Sequence, residues 1–129
     1  MKIMKYVSSV ALLIFITVAF SPPKLSLVSY HFGVAKSTPA KDANVESVSR
    51  ISIWFTQVPQ ENSVSIRLVD AGGSLVTDVD FETDQISPML FTSVLDRALT
   101  FGSYKVIWRG IGQDGHAVTG DYMFTISAE

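Results

Sequence analysis

The chain predicts an all-β fold, a two-sheet sandwich of immunoglobulin-like topology with about seven short strands, and three features carry that expectation. Beyond the first stretch of residues, apolar side chains recur with period two, the spacing of a half-buried strand. A glycine pair, Gly72-Gly73, and an Asp-Gly step, Asp114-Gly115, punctuate those runs, as hairpin turns require. No sustained helical periodicity follows position 30, and there is no internal repeat, low-complexity tract or interdomain linker.

The opening stretch stands apart from this pattern. Met1 to Lys5 carries two lysines, Tyr6 to Phe20 is apolar apart from Ser8, Ser9 and Thr17, and Ser21-Pro22-Pro23-Lys24 ends the run. Charged and apolar regions in that order make a secretory signal, and an apolar run of about 15 residues is short for a bilayer-spanning helix, which needs about 20. Residues 1–30 therefore read as a signal segment and 31–129 as one exported domain, with no stable membrane insertion once the signal is removed. Two cut points compete: cleavage after Tyr30 leaves His31 as the first residue, and cleavage after Ser29 leaves Tyr30 there.

Charge narrows the function. Three of the ten Lys and Arg residues fall in the first 30 positions and none of the twelve acids does, so a chain starting at His31 carries seven cations against twelve anions, formally −5. Its basic residues are scattered, and a phosphate backbone is captured by clustered Lys and Arg, so nucleic acid is excluded as a partner. The chain contains no cysteine, which removes disulfides, thiolate ligands and thiol nucleophiles together. A domain of about 100 residues can be held by its hydrophobic core alone.

Along the domain, Ile51, Ile53 and Phe55 share one face, and Ser52, Trp54 and Thr56 the other. Val64, Ile66 and Leu68 alternate with Ser65, Arg67 and Val69, and Asp70-Ala71-Gly72-Gly73 supplies a β-turn before Ser74-Leu75-Val76. Asp78 to Asp84 holds four acidic side chains, read as a solvated edge or loop without chemistry. In the last pair of runs, Tyr104, Val106 and Trp108 face inward on one strand and Tyr122, Phe124 and Ile126 on the other. Between them lies Gly110-Ile111-Gly112-Gln113-Asp114-Gly115-His116-Ala117, a loop that presents Asp114 and His116 at a hairpin tip.

The chain has two histidines. His31 follows the signal segment, and a histidine at a processed N-terminus offers its amine and its imidazole to one metal. His116 adds a second imidazole, and Asp114, one residue removed on an extended segment, projects the same way and offers an oxygen. A tetragonal set of nitrogens with one oxygen suits Cu(II). Spacing alone is equally compatible with two solvated loop histidines and ordinary Asp-Gly turn chemistry.

Longer stretches carry a resemblance. His31-Phe32-Gly33-Val34-Ala35-Lys36-Ser37-Thr38-Pro39-Ala40-Lys41-Asp42-Ala43 resembles the opening of the copper resistance protein CopC family, in which a histidine after the signal leads to a Ser-x-Pro-Ala-x-x-Ala segment. Ile51 to Thr56 is similar to that family's next strand, and Gly102 to Arg109 to its Gly-x-Tyr-x-Val-x-Trp-Arg run. Asp114-Gly115-His116-Ala117-Val118-Thr119-Gly120-Asp121-Tyr122-Met123-Phe124 resembles its Asp-Gly-His-x-Val-x-Gly-x-Phe-x-Phe signature, whereas Asp70 to Leu99 matches poorly. The resemblance implies a seven-stranded Greek-key sandwich that holds Cu(II) through His31, Asp114 and His116. It also implies a periplasmic protein of copper homeostasis and resistance, passing copper to an inner-membrane transporter of the CopD type. Some members add a methionine-rich site for Cu(I); after the signal this chain has only Met89 and Met123, far apart, so no such site is expected.

A binding protein needs no catalysis, and the expectation is that this is not an enzyme. One rival is a copper-dependent oxidative enzyme with a histidine-headed site, of the kind that attacks polysaccharides. Such an enzyme needs an open coordination position and an aromatic platform, whereas Asp114 would fill a position and Trp54 is the one outward aromatic in the strands. A metal-free β-sandwich that only contacts other proteins is the other rival. Hydrolysis lacks a credible nucleophile and base.

Overall fold

A computed structural model of the chain describes residues 31–128; the expected signal segment, residues 1–30, lies outside the described residues. Eight strands follow one another: β1 (Val34–Thr38), β2 (Asn44–Val45), β3 (Arg50–Phe55), β4 (Ser65–Val69), β5 (Glu82–Thr83), β6 (Leu90–Val94), β7 (Gly102–Ile111) and β8 (Ala117–Ile126). They form two four-stranded sheets, in the orders β1-β3-β6-β5 and β2-β8-β7-β4. The chain passes between the sheets at β1–β2, β2–β3, β3–β4, β4–β5 and β6–β7, and such crossing connections are those of a Greek-key sandwich. Eight is close to the expected seven, and β2 and β5 are two residues each, too short to register as a period-two run.

The alternation read from the sequence sets which face is inward. Ile51, Ile53 and Phe55 of β3 and Phe91 of β6 meet Leu68, Tyr104, Val106, Trp108, Tyr122, Phe124 and Ile126 from the other sheet, all buried. Burying each such side chain contributes about 1.5–3 kcal/mol, so this layer holds the domain without cross-links. Tyr104 and Phe124 stack at 5.7 Å, as antiparallel partners in the β7–β8 register. Trp54 points outward and lies under the Lys36 ammonium, 4.7 Å from the ring centroid; Trp108 is core.

The Asp70 turn forms as expected, with Gly73 N–H donating to the Asp70 carbonyl and Gly72 and Ser74 N–H donating to its carboxylate. Ser74-Leu75-Val76 makes a single bridge, Val69 to Leu75, and no full strand. The acidic stretch is solvated: Asp78, Asp80, Glu82 and Asp84 are exposed, Glu82 lies on the edge strand β5, and Asp78 pairs with Arg97 at 2.8 Å on the surface. Among the described residues no helix is long and apolar enough to cross a membrane.

Candidate metal centre

Three pieces of chain meet at one end of the sandwich: the segment entering β1, the residues leaving β3, and the β7–β8 loop. The loop is a tight hairpin in which Gly112 N–H donates to the His116 carbonyl at 3.1 Å and Gly115 N–H to the Gly112 carbonyl at 3.0 Å. Gly115 sits at φ 83°, a left-handed conformation that glycine adopts without a Cβ penalty. This reversal places Asp114 and His116 on one side of the tip.

Asp114 and His116 are joined twice. One carboxylate oxygen of Asp114 accepts from the His116 backbone N–H at 3.0 Å, and the other lies 2.9 Å from ring Nδ1. The His116 hydrogen bond to its side chain, followed by the bond to the backbone, holds the Asp114 carboxyl below its ordinary 3.8. Reciprocally, the bond to Asp114 and then its charge raise the His116 imidazole above 6.5. Both side chains are largely exposed, 56% and 82% respectively, so the pair adds little to stability; its importance is chemical. The bond orients the ring beside the carboxylate. Nδ1 and the carboxylate oxygen, 2.9 Å apart, are close enough to take one ion side by side in place of the shared proton, whereas an ion on Nε2 would lie out of reach of a carboxylate held at Nδ1.

His31 arrives at the same end by a different route. Its neighbour Phe32 is buried, stacked on Phe55 at 4.9 Å and edge-on to Trp108 at 6.0 Å. Phe32 lies against the loop strand where only glycine fits: a Cβ on Gly110 would stand 2.6 Å from its ring. A Cβ on Gly112 would lie 3.0 Å from the Phe32 Cβ and 3.1 Å from the Asp114 carboxylate. Phe32 and Asp114 thus flank the same backbone position, and His31, one residue before Phe32, is exposed.

The residues leaving β3 tie the two parts together. Thr56 N–H donates to the Gly33 carbonyl at 2.8 Å, and the Thr56 hydroxyl donates to the His31 carbonyl at 2.8 Å and accepts from Gly33 N–H at 3.1 Å. Gln57 accepts from Gln113 N–H at 3.0 Å, Gln113 donates its side-chain amide to the Val58 carbonyl at 2.6 Å, and Gln60 donates to the Gly112 carbonyl at 3.1 Å. The sequence reading did not identify Phe32, Thr56, Gln57 or Gln60 as site-building residues. Adjacency to His31 could have marked Phe32, but no pattern marks the others.

Of the three residues expected to bind metal, the structure joins Asp114 to His116 directly and brings the His31 backbone to the same end. Among the described residues no three His, Asp or Glu side chains are gathered into a ready cage. Two exposed imidazoles and a carboxylate are nonetheless a donor set that suits a borderline divalent ion.

The CopC domain model matches residues 34–127, nearly the whole described chain. The chain belongs to the CopC domain family. Asp114 and His116 fall inside the matched span of this CopC domain, and His31 lies three residues before it. The copper transport protein CutJ of Bacillus subtilis is 26% identical over 105 residues, covering 81% of this chain and 19% of that protein; the CopC domain chain thus spans about a fifth of the curated relative it matches. CopC from Methylosinus trichosporium OB3b superposes with a TM-score of 0.66 at 26% identity, covering 75% of this chain and 94% of that one. PcoC, a methionine-rich copper resistance protein from Escherichia coli, also gives 0.66, at 22% identity, over 76% of this chain and all of that one, a likeness of fold.

Proposed function

We propose that this CopC domain protein binds one Cu(II) ion through His31, Asp114 and His116, outside the cytoplasm, and serves copper transport and resistance as a carrier or store. Family membership and the copper-handling relatives support the coarse reading. The observation that carries the site is the Asp114–His116 pair, exposed at 2.9 Å at the end of the sandwich where the Phe32 wedge also delivers His31. Cleavage of residues 1–30 would add the His31 amine, so that amine, two imidazoles and a carboxylate make the tetragonal set that Cu(II) prefers. Because no cage is preformed, copper draws the His31 side chain toward the pair on binding.

Export to the periplasm follows from the signal-like opening, and delivery to a CopD-type membrane transporter follows from the resemblance; both belong to this proposal. A shallow, exposed site releases its ion to a partner more readily than a closed one, which suits a carrier. The reading also makes the protein a binder and not an oxidase, since Asp114 takes a coordination position that oxygen would need and Trp54, the outward aromatic, is covered by Lys36.

The test is a Cu(II) titration of the exported protein, followed by electron paramagnetic resonance. Tetragonal nitrogen-rich copper at one equivalent is expected, lost in His116→Ala and weakened in His31→Ala. A signal unchanged in His116→Ala would place copper elsewhere. Peroxide production by the copper-loaded protein with a reductant, well above that of free copper, would favour the oxidative enzyme instead.

A further inference from the structure

We infer that Thr56 is the positioning residue of the copper site, its hydroxyl clamping the backbone of residues 31–33 so that His31 is presented to Asp114 and His116. This rests on the reading that those three residues hold Cu(II). The Thr56 hydroxyl makes two bonds, to the His31 carbonyl at 2.8 Å and from Gly33 N–H at 3.1 Å, and both end on the segment that carries the leading ligand.

The fold does not need that hydroxyl. Strand pairing at this point is already made by Thr56 N–H to the Gly33 carbonyl, and the anchor of the segment in the core is Phe32, 5% exposed. Thr56 itself is only half-buried and outside the core. What the hydroxyl adds is orientation. Fixing the carbonyl of residue 31 fixes the plane of the peptide that follows it, and with it the position of the His31 Cα from which amine and imidazole project. Without the clamp, residue 31 of a chain cut after Tyr30 would be a free end with its backbone rotation open, and ordering it on copper binding would cost conformational entropy.

The same stretch of chain holds the other half of the site. One residue on, Gln57 accepts from Gln113 N–H, next to Asp114, and Gln60 donates to the Gly112 carbonyl. The exit of β3 is therefore a short template, with Thr56 aligning the His31 segment and the two glutamines aligning the Asp114–His116 loop. Outer-sphere groups of this kind typically contribute ten- to a hundredfold in metal affinity, and a group acting through a backbone carbonyl belongs at the lower end.

The experiment compares wild type, Thr56→Val and Thr56→Ser as exported proteins, with Cu(II) competed against a chelator, copper resonance spectra, and thermal unfolding of the metal-free forms. Thr56→Val is expected to weaken Cu(II) binding about tenfold and to change the copper hyperfine splitting, while Thr56→Ser retains both and the metal-free melting temperatures stay close. In a His31→Ala background, where only the amine of residue 31 is left for the clamp to place, Thr56→Val should cause a smaller further loss, because its effect passes through residue 31. Unchanged affinity and spectrum in Thr56→Val, or a loss that persists in full when His31 is absent, overturns the inference. Should His116→Ala bind copper as wild type does, the site itself is wrong and Thr56 positions nothing; intact loss in His116→Ala with no effect of Thr56→Val rejects the clamp alone.

Discussion

Phe32 stacks on Phe55 with ring centroids 4.9 Å apart, and that contact makes the segment beside His31 a part of the hydrophobic core. An exposed side chain at the end of a segment, as the proposed ligand His31 would be after cleavage, is ordinarily a poor site component, since ordering it costs entropy. Here the ordering has been done by an aromatic residue one position away, which packs between Phe55 and Trp108 and against Gly110 and Gly112.

Removing that wedge should couple stability to copper. Phe32→Ala is expected to lower unfolding free energy by about 3–5 kcal/mol, read from urea unfolding of the metal-free protein. That is a large share of a small domain's stability, so Phe32→Leu, which keeps most of the volume, provides the milder case. Both should lose Cu(II) affinity under conditions where they remain folded. A folded Phe32→Leu protein with wild-type stability and affinity would show that the segment is placed by other means.

Asp114 and His116 set the pH dependence. The His116 value is raised by its bond to Asp114, so its share of stability is complete below the ordinary 6.5 and is lost as pH rises through the raised value. The Asp114 value is lowered by the same bond, so its share is present above the ordinary 3.8 and disappears as pH falls through the lowered value. The pair is therefore fully formed between about 3.8 and 6.5. At the proposed site copper binding would run the other way, because His116 would have to give up a proton to bind, and the raised value would move proton competition to higher pH than for a free imidazole. Ring proton resonances of metal-free protein should show His116 titrating above 6.5, and Asp114→Asn should bring that midpoint down. A His116 midpoint that ignores Asp114→Asn contradicts the pairing.

Much of this was legible in the sequence. The β3, β4, β7 and β8 faces follow the alternation of Ile51-Ile53-Phe55, Ile66-Leu68 and the two aromatic runs, because each strand has one buried side and the period of two has no other explanation. The hairpin tip with Asp114 and His116 was marked by its glycines. Strand β6 was not marked, since Leu90-Phe91-Thr92-Ser93-Val94 sets a buried serine between an inward phenylalanine and an exposed valine. The template residues escaped for a different reason: Thr56, Gln57 and Gln60 act through hydrogen bonds to segments 23 to 56 positions away, and such bonds leave no periodic trace in a single chain.

Tyr122 offers a change that should not destabilise. Burial pushes its hydroxyl up to about 12, offset only in part by the nearby Ser37, whose hydroxyl donates to the Pro39 carbonyl at 2.9 Å and makes no hydrogen bond of ordinary geometry with Tyr122. Its oxygen is buried without a hydrogen-bond partner among the described residues, a state that costs about 1–3 kcal/mol. The family signature carries phenylalanine at this position. Tyr122→Phe is expected to leave the urea midpoint unchanged or to raise it, with Cu(II) affinity as in wild type. A clear drop in the midpoint would reveal a partner for the hydroxyl that the structure does not hold.

Two glycines separate packing from positioning. A Cβ on Gly120 would collide with the Trp108 indole, and a Cβ on Gly110 would reach 2.6 Å from the Phe32 ring; both rings are buried and cannot swing into solvent. Overpacking of that kind costs about 1–3 kcal/mol, so Gly120→Ala and Gly110→Ala should lower stability to a similar degree in urea unfolding. Their effects on copper should differ. Gly120 reaches the His31 segment at second hand, through Trp108 and its 6.0 Å edge contact with Phe32, whereas a Cβ on Gly110 meets Phe32, the neighbour of His31, directly. Gly110→Ala is therefore expected to weaken Cu(II) binding several-fold more than Gly120→Ala at matched stability. Equal losses from the two would mean that copper affinity follows global stability alone, and the case for a site assembled by the Phe32 wedge would have to be abandoned.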